Sequence, residues 1–309
     1  MKTKILLLLS AIAFAFASCN NKAPEAIELE NTCAYPLEME KYTFSDSSKY
    51  ANVTISIELP VAKDSISQVI RDTLMDIVSY RLRTSQNFED TKPLISKYKG
   101  DEQDSKSTFD YYSKAVTRLV NASSKEDNDF REKSYEEDTT SVKDDNYEFS
   151  VTPFDYSMTV NKLREDSTYV VFNDNEYAFT GGAHGGVFGF GCVTFRFSDG
   201  SKVNGFLKDN VTKAMQPLIK KGLKEFFNEE SETPIKSDAQ LMEQLMLPDN
   251  SGMIPLPVWM PYPHESGKGL TFVYQQYEIA CYAAGMPAFV LTWDELKPFL
   301  KEEIIEELK

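Results

Sequence analysis

Histidine is scarce in this chain of 309 residues, which limits the metal chemistry that the sequence can support. His184 and His264 are the only two, so a histidine-rich metal site is excluded. The pair His264-Glu265 lacks the second histidine that a zinc-protease helix requires. The sequence therefore predicts no metal site.

The motifs that usually mark an active site are also missing. No Gly-x-Ser-x-Gly occurs, which excludes the nucleophile elbow of the α/β-hydrolases. Residues 126–148 hold ten acidic and three basic residues but lack the glycine turn of an EF-hand, so we expect a solvated loop or an exposed helix end. Two of the 48 carboxylates could still meet in space, although no local pattern selects a pair. We predict no catalytic residues, no cofactor and no enzymatic activity.

Only one long hydrophobic run is present, at residues 5–16, and it is shorter than the roughly 20 residues that span a bilayer. Lys2 and Lys4 precede it, and two small residues and then Cys19 follow it. This order is typical of a secretory signal. It predicts cleavage before Cys19 and lipidation of that thiol, which would hold the protein at the bacterial cell envelope. The alternative is ordinary secretion with an incidental cysteine.

We divide the chain into four parts by composition and pattern. They are a signal peptide, a lipidated N-terminus with its linker, an N-terminal α+β part and a C-terminal α+β domain: residues 1–18, 19–36, 37–145 and 146–309.

The chain also has few cysteines and fewer basic than acidic residues. Beyond Cys19 the cysteines are Cys33, Cys192 and Cys281, an odd number, so at least one has no intramolecular partner. Cys192 and Cys281 could pair, or both could be buried free thiols. The 33 basic residues face 48 acidic ones; without Lys2 and Lys4 the basic count is 31 and the net charge is −17. Such a surface repels nucleic acid and attracts basic partners, or it serves solubility alone.

Hydrophobic periodicity predicts the secondary structure. A Ser65/Gln68 capping box, a cap at Asn210 and a Thr292/Glu295 capping box mark helix starts. Strands follow one another in groups and helices come after them, which favours an α+β fold with a largely antiparallel sheet. Strands are expected within 37–60 and at 147–160, 168–180, 187–197, 270–280 and 288–291; helices are expected from 65, at 106–122, 210–228 and 237–247, and from 292.

The most distinctive stretch is rich in glycine: six of the 14 glycines lie between residues 181 and 191. Glycines allow positive φ, and successive N–H groups in such turns can cradle an anion. The stretch leads into a strand, so neither a dinucleotide-binding motif nor a P-loop is present. A tight turn held by His184 is the alternative. The candidate binding residues are those of this loop and of the proline-rich segment 255–264: Gly181, Gly182, His184, Gly185, Tyr262 and His264.

Aromatic residues gather toward the C-terminus. They could stack on sugar rings of a glycan, or they could build a buried core. The group comprises Trp259, Tyr262, Tyr274, Tyr277, Tyr282 and Trp293.

Two ordered motifs resemble a known family. They are Thr-Gly-Gly-Ala-His-Gly at 180–185 and Tyr-Glu-Ile-Ala-Cys-Tyr-Ala-Ala-Gly at 277–285. Together they resemble the extracytoplasmic domain of RsiV-type, lysozyme-responsive anti-sigma-V factors, a domain of unknown function that also precedes some peptidoglycan deacetylases. The resemblance is strong over about 150–305 and looser over 37–145. It implies an α+β fold whose C-terminal half is similar to an Hsp70 ATPase subdomain, and lysozyme as a ligand.

The chain departs from that family in three ways. Cys281 replaces the usual proline, and neither a sigma-factor-binding segment nor a deacetylase domain is found. We therefore expect a non-catalytic binding or sensing module for lysozyme or another basic protein. The alternatives are a binder or weak hydrolase of peptidoglycan, and a structural partner in an outer-membrane assembly. Membrane contact through the lipid is expected, and nucleic-acid binding is not.

Overall fold

Groups of strands and groups of helices follow one another along the chain. The computed structural model describes residues 36–84, 93–101, 104–137, 149–181, 186–229, 231, 233–247 and 251–309. The strands in these ranges are β1 (Met39–Ser47), β2 (Ala51–Pro60), β3 (Phe154–Glu165), β4 (Tyr169–Phe179), β5 (Val187–Arg196), β6 (Tyr262–Pro263), β7 (Gly269–Val273) and β8 (Ala288–Thr292). The helices are α1 (Ser65–Thr84), α2 (Ser105–Glu137), α3 (Thr212–Asn228), α4 (Asp238–Gln244), α5 (Trp293–Leu296) and α6 (Glu302–Glu307).

The first five strands form one sheet in the order β1-β2-β3-β4-β5. Neighbouring strands are antiparallel except β2 and β3, which run parallel. A parallel pair needs a long crossover, and α1 and α2 lie within this one. The predicted α+β class with a largely antiparallel sheet is confirmed, and β2–β3 is the parallel pair within the large sheet.

One face of this sheet packs against α1 and α2. On β2 every second residue, including Val53, Ile55 and Ile57, is fully buried, as the alternation predicts. Ile70 and Val78 of α1 meet them in the same core. Burying one such side chain contributes about 1.5–3 kcal/mol, so this core is a main source of stability.

The C-terminal residues form a second, three-stranded antiparallel sheet in the order β6-β7-β8, with α3 packed on it. Side chains along β4 alternate between the two cores. Val170 and Phe172 lie in the core under α1 and α2, whereas Tyr169 and Val171 lie in the C-terminal core. The large sheet is therefore covered on both faces around β4.

Two predicted helix caps are wrong. α1 begins at Ser65, but the capping carboxylate is that of Asp64, whose Oδ1 accepts the Ser67 N–H at 2.8 Å. Asp64 and Ser67 therefore form the N-terminal cap that was predicted for Ser65 and Gln68. Asn210 has a φ of +59° and caps nothing, and α3 starts after Val211 with no side-chain cap.

Other boundaries also differ. The predicted strand 270–280 ends at Val273, and residues 275–285 form turns and a short 3-10 helix (Tyr282–Ala284). The predicted turn at 161–167 is shorter, because β3 continues to Glu165. The helix predicted at 106–122 continues to Glu137, so the described part of the acidic stretch is its helical end. The last helix is split into α5 and α6. The Thr292/Glu295 capping box is confirmed.

Three further expectations concern domains, cysteines and membranes. The division at 145/146 stays a prediction, although β2 and β3 from either side of it pair directly. Cys192 and Cys281 are both free thiols, so they do not pair; Cys192 is partly buried, and Cys281 is exposed rather than buried. Cys19 and Cys33 lie outside the described residues. Within the described ranges, no helix has the length and apolar character needed to cross a bilayer.

Candidate functional site

The segment after β7 binds the free edge of β5. The Gln275 side chain accepts the Phe190 N–H at 2.8 Å and donates to the Phe190 C=O at 3.1 Å. Gln276 Oε1 accepts the Phe188 N–H at 3.0 Å. The two side chains occupy the place of a sixth strand, so they satisfy backbone groups that β5, as an edge strand, would otherwise expose.

The same segment also contacts the glycine-rich stretch. The Tyr282 hydroxyl donates to the C=O of Gly186 at 2.8 Å, and the rings of Tyr282 and Tyr277 lie 5.7 Å apart. Gly186 packs directly against the ring of Tyr177, and an added Cβ would overlap that ring. The two sequence motifs are therefore neighbours in space.

Glu278 fixes the proline-rich segment to this region. Its carboxylate accepts the N–H of Val258 at 2.6 Å and the N–H of Gln275 at 2.7 Å. Burial raises the pKa of Glu278, and the two N–H groups oppose that shift. Tyr277, just before it, has a φ of +65°, and its side chain is exposed. The Glu278 carboxylate thus joins the proline-rich segment to the segment after β7.

Around Glu278 lies a group of exposed apolar side chains that we call the apolar patch. Val258 is 78% exposed and Tyr277 54% exposed. Met246, which donates its N–H to the Ile279 C=O, is 61% exposed. Clustered apolar side chains on a soluble surface usually mark a contact site. The patch comprises Met246, Val258, Trp259, Met260 and Tyr277.

A buried charge cluster supports the patch from below. The Arg81 guanidinium lies 5.0 Å from the centre of the Trp259 ring, a cation–π geometry. Arg81 Nη2 is 3.1 Å from Glu176 Oε2, and its Nε is 3.6 Å from Asp174 Oδ2. Burial raises the pKa of Asp174, and the Arg81 charge opposes that shift. Arg81 thus connects α1, β4 and the apolar patch.

Two glycines of β5 lie opposite the two acids of this cluster. Asp174 pairs with Gly191, and Glu176 pairs with Gly189 in the β4–β5 register. A Cβ on Gly191 would lie 3.2 Å from the Asp174 backbone oxygen, and one on Gly189 would lie 3.7 Å from Arg81 Nη2. Gly191 therefore leaves room beside Asp174, whereas a Cβ on Gly189 would make only an ordinary van der Waals contact with Arg81.

The predicted binding residues fall in different places. Gly181 has a φ of +83° and lies beside the Arg131 guanidinium, in keeping with a turn that needs glycine. Gly182, His184 and Gly185 lie outside the described residues. The Tyr262 ring packs 5.6 Å from that of Phe190, and burial raises the pKa of its hydroxyl.

His264 lies in the turn between β6 and β7. Its Nδ1 is 2.7 Å from Ser266 Oγ and accepts the Ser266 N–H at 3.1 Å. Arg164, at the end of β3, donates to the C=O of Glu265 at 2.8 Å and pairs with Asp166. Burial lowers the pKa of His264.

His264 and the glycine-rich stretch are far apart. Arg164 pairs with Val171 near the start of β4, whereas Gly181 follows the end of that strand. At about 3.3 Å per residue, the chain from Val171 to Gly181 spans on the order of 30 Å. The structure therefore does not bring His264 and Gly181 into one site. In the described part of the chain, no group of three His, Cys, Asp or Glu side chains could hold a metal ion.

The sequence contained a signal for the charge cluster that was overlooked. Val170, Phe172 and Ala178 lie on the same face of β4 as Asp174 and Glu176. Two acids at alternate positions on a buried face require a cation, but nothing local indicates that Arg81 supplies it.

Comparisons with known proteins find one family model that matches part of the chain. Residues 197–294 match the family model described as "Protein of unknown function (DUF3298)". No functionally curated protein matches the chain. The DUF3298 region begins at the end of β5 and includes the apolar patch and the turn of His264.

Two crystal structures of DUF3298 proteins share the fold. One, from Bacteroides fragilis, has a TM-score of 0.60 and 14% identity over 91% of this chain and 99% of its own. Another, from Pseudomonas aeruginosa, has a TM-score of 0.51 and 13% identity over 87% and 97%. At such identities the likeness concerns the fold alone. The narrower resemblance to RsiV-type domains stays a prediction.

Proposed function

We propose that this protein is a lipid-anchored, non-catalytic binding module of the bacterial cell envelope whose partner is a basic protein. The observation that carries the proposal is the apolar patch, whose backbone is held by the Val258–Glu278 hydrogen bond, on a chain with a net charge of −15. Lysozyme, a strongly basic protein, is the specific candidate that the family resemblance implies.

The patch has the properties of an interface centre. Tryptophan, tyrosine and methionine are enriched in protein interfaces, and they contribute most where the backbone beneath them is fixed. Glu278 fixes Val258, and the Arg81 stack orients Trp259. A preorganised patch loses less conformational entropy on binding.

The acidic surface supports the choice of a basic partner. Opposite charge accelerates the encounter of two proteins, and salt weakens this effect because the Debye length falls from about 10 Å at 0.1 M to about 3 Å at 1 M. The proposed binding therefore has an apolar component that resists salt and an electrostatic component that does not. The Lys2, Lys4 and Cys19 pattern supports the location at the envelope.

Binding of the purified chain to immobilised lysozyme, at low and high salt, tests the proposal. Val258→Ala should weaken binding about fivefold, since a central apolar contact contributes about 1 kcal/mol. Val69→Ala is the matched control, because Val69 is 43% exposed but packs near Gly200, at the other end of the sheet. We expect no change in affinity for that variant.

Two results would contradict the proposal. Absence of binding at low salt would exclude lysozyme as the partner. Equal losses of affinity for the Val258 and Val69 variants would exclude the apolar patch as the binding site. Labelling by radioactive palmitate, lost in Cys19→Ala, tests the anchor separately.

A glycan ligand is the second candidate, favoured by the exposed rings of Trp259 and Tyr277. Aromatic faces of this kind can stack on sugar rings. Co-sedimentation with purified peptidoglycan, abolished in Trp259→Ala, would favour this candidate. Release of soluble fragments would instead indicate hydrolysis.

A further inference from the structure

β8 has an unpaired backbone edge. It is the last strand of its sheet and, among the described strands, pairs only with β7. The Tyr274 N–H donates to the Pro287 C=O and the Trp293 N–H donates to the Lys268 C=O, so Phe289 and Leu291 exchange hydrogen bonds with β7. The N–H and C=O groups of Ala288 and Val290 consequently point away from the sheet. Among the described residues, these four groups have no hydrogen-bond partner.

A groove runs along this edge. Its volume is about 830 Å³, and its opposite wall is the second half of α3 together with Ile235 and Lys236. Phe226, Ile235 and Val290 give it apolar walls, and Val290 is 38% exposed. An unprotected strand edge of this kind readily pairs with another strand, and proteins often shield it.

We propose that this groove binds an extended peptide segment of a partner protein, which adds to β8 as a fourth strand. Backbone hydrogen bonds to Ala288 and Val290 would hold the segment. Because side chains of a strand alternate, every second residue of the segment would face Phe226 and Ile235.

Charge narrows the choice of segment. Lys221 pairs with Glu295 at 2.8 Å, and Lys224 pairs with Asp238 at 2.9 Å. Lys236 and Glu229, also on the groove, have no ion-pair partner within the described ranges. The segment should therefore combine alternating apolar residues with an acidic residue opposite Lys236 and no acidic residue beside Glu229. This site is independent of the apolar patch and of the basic partner proposed above.

A displayed library of random octapeptides, selected on the full chain, tests this inference. We expect enriched sequences that alternate apolar residues and carry an acidic residue. Synthetic copies N-methylated at alternate amides should bind about tenfold more weakly, because each blocked backbone hydrogen bond contributes up to about 1.5 kcal/mol. Lys236→Glu should select against the acidic residue.

Val290→Pro removes one outward N–H without breaking a bond to β7, a substitution that edge strands tolerate. It should weaken peptide binding about tenfold, whereas Val290→Thr, which keeps the N–H, should change it less than about twofold. If the proline variant does not fold, slower exchange of the Val290 amide on addition of peptide provides the same test in the unmodified chain.

Three results would overturn the inference. They are a library without enrichment, peptides that bind Val290→Pro as well as the unmodified chain, and sedimentation of the chain as a dimer that Val290→Pro dissociates. The last would show that a second copy occupies the edge. Lysozyme binding should be unaffected by Val290→Pro, so failure here is distinct from failure of the proposed function.

Discussion

In the five-stranded sheet, backbone N–H and C=O groups bond to one another in ladders, whereas between residues 201 and 309 many of them bond to side chains. Three amides there bind both backbone groups of another residue, as a neighbouring strand would, whereas one does so in the described chain before residue 201, Asn128 with Thr152. The three pairs are Gln216 with Ile254, Asn228 with Ile235 and Gln275 with Phe190.

The two kinds of hydrogen bonding differ in how many residues each depends on. A ladder is specified by alternating apolar residues along whole strands, so one substitution changes little of it. An amide clamp depends on one side chain, whose loss leaves two buried backbone groups unsatisfied. The C-terminal half should therefore be more sensitive to loss of a single polar side chain, and Gln216→Ala tests this.

The largest effect is expected for Gln216→Ala. Gln216 Nε2 donates to the Ile254 C=O at 2.8 Å, its Oε1 accepts the Ile254 N–H at 3.0 Å, and Ile254 is fully buried. Losing both bonds should lower the free energy of unfolding by about 3 kcal/mol, as measured by urea denaturation. Gln68→Ala is the control, since Gln68 bonds only to Asp72 on the surface of α1 and should cost under about 0.5 kcal/mol. Equal losses of unfolding free energy in the two variants would contradict the greater sensitivity expected of an amide clamp.

A smaller effect is expected for Gly222→Ala in α3. Helix propensity alone predicts stabilisation by about 1 kcal/mol. However, the new Cβ would overlap the ring of Phe289, which stacks on Phe272 with centroids 5.3 Å apart. Overpacking of this kind costs about 1–3 kcal/mol, so we expect a net loss of about 1 kcal/mol in urea denaturation.

The overlap can be tested by its rescue. Phe289→Leu should make Gly222→Ala less harmful than it is in the unmodified chain. A stabilising Gly222→Ala would show that propensity outweighs packing at this contact.

The sequence predicts the large sheet better than it predicts the region after residue 201. The strands of the large sheet and the core face of α1 were predicted because alternation and helical periodicity are local signals. The cap of α1 was misplaced by one residue because Asp64 and Ser65 are both good capping residues.

The region after β7 was predicted wrongly for a physical reason. Residues 270–280 have a strand-like composition, but Tyr277 takes a positive φ and Glu278 turns inward to bond Val258. These contacts join segments distant in sequence, and they override local propensity. The two motifs were recognised, whereas the Arg81–Trp259 contact that supports the patch has no local signal.

The smallest effect should come from the cluster of Arg81, Asp174 and Glu176 beside the large sheet. Burial raises the pKa of Asp174 above its value in the unfolded chain, while Arg81 partly offsets the shift. The folded state therefore binds this proton more tightly than the unfolded state does. The resulting stabilisation is present in full below the unfolded pKa, about 3.9, and is lost as the pH rises through the folded pKa.

Asp174→Asn removes this pH dependence. Its melting temperature relative to that of the unmodified chain should rise between about pH 4 and pH 7, because only the ionised carboxylate is penalised by burial. Asp199→Asn is the control with the opposite sign. Hydrogen bonds from Ser201 lower the pKa of exposed Asp199, so its ionised form favours folding at neutral pH. A difference for Asp174→Asn that stays constant or falls with pH would mean that Arg81 balances the buried charge, and that the sheet accommodates this acid without cost.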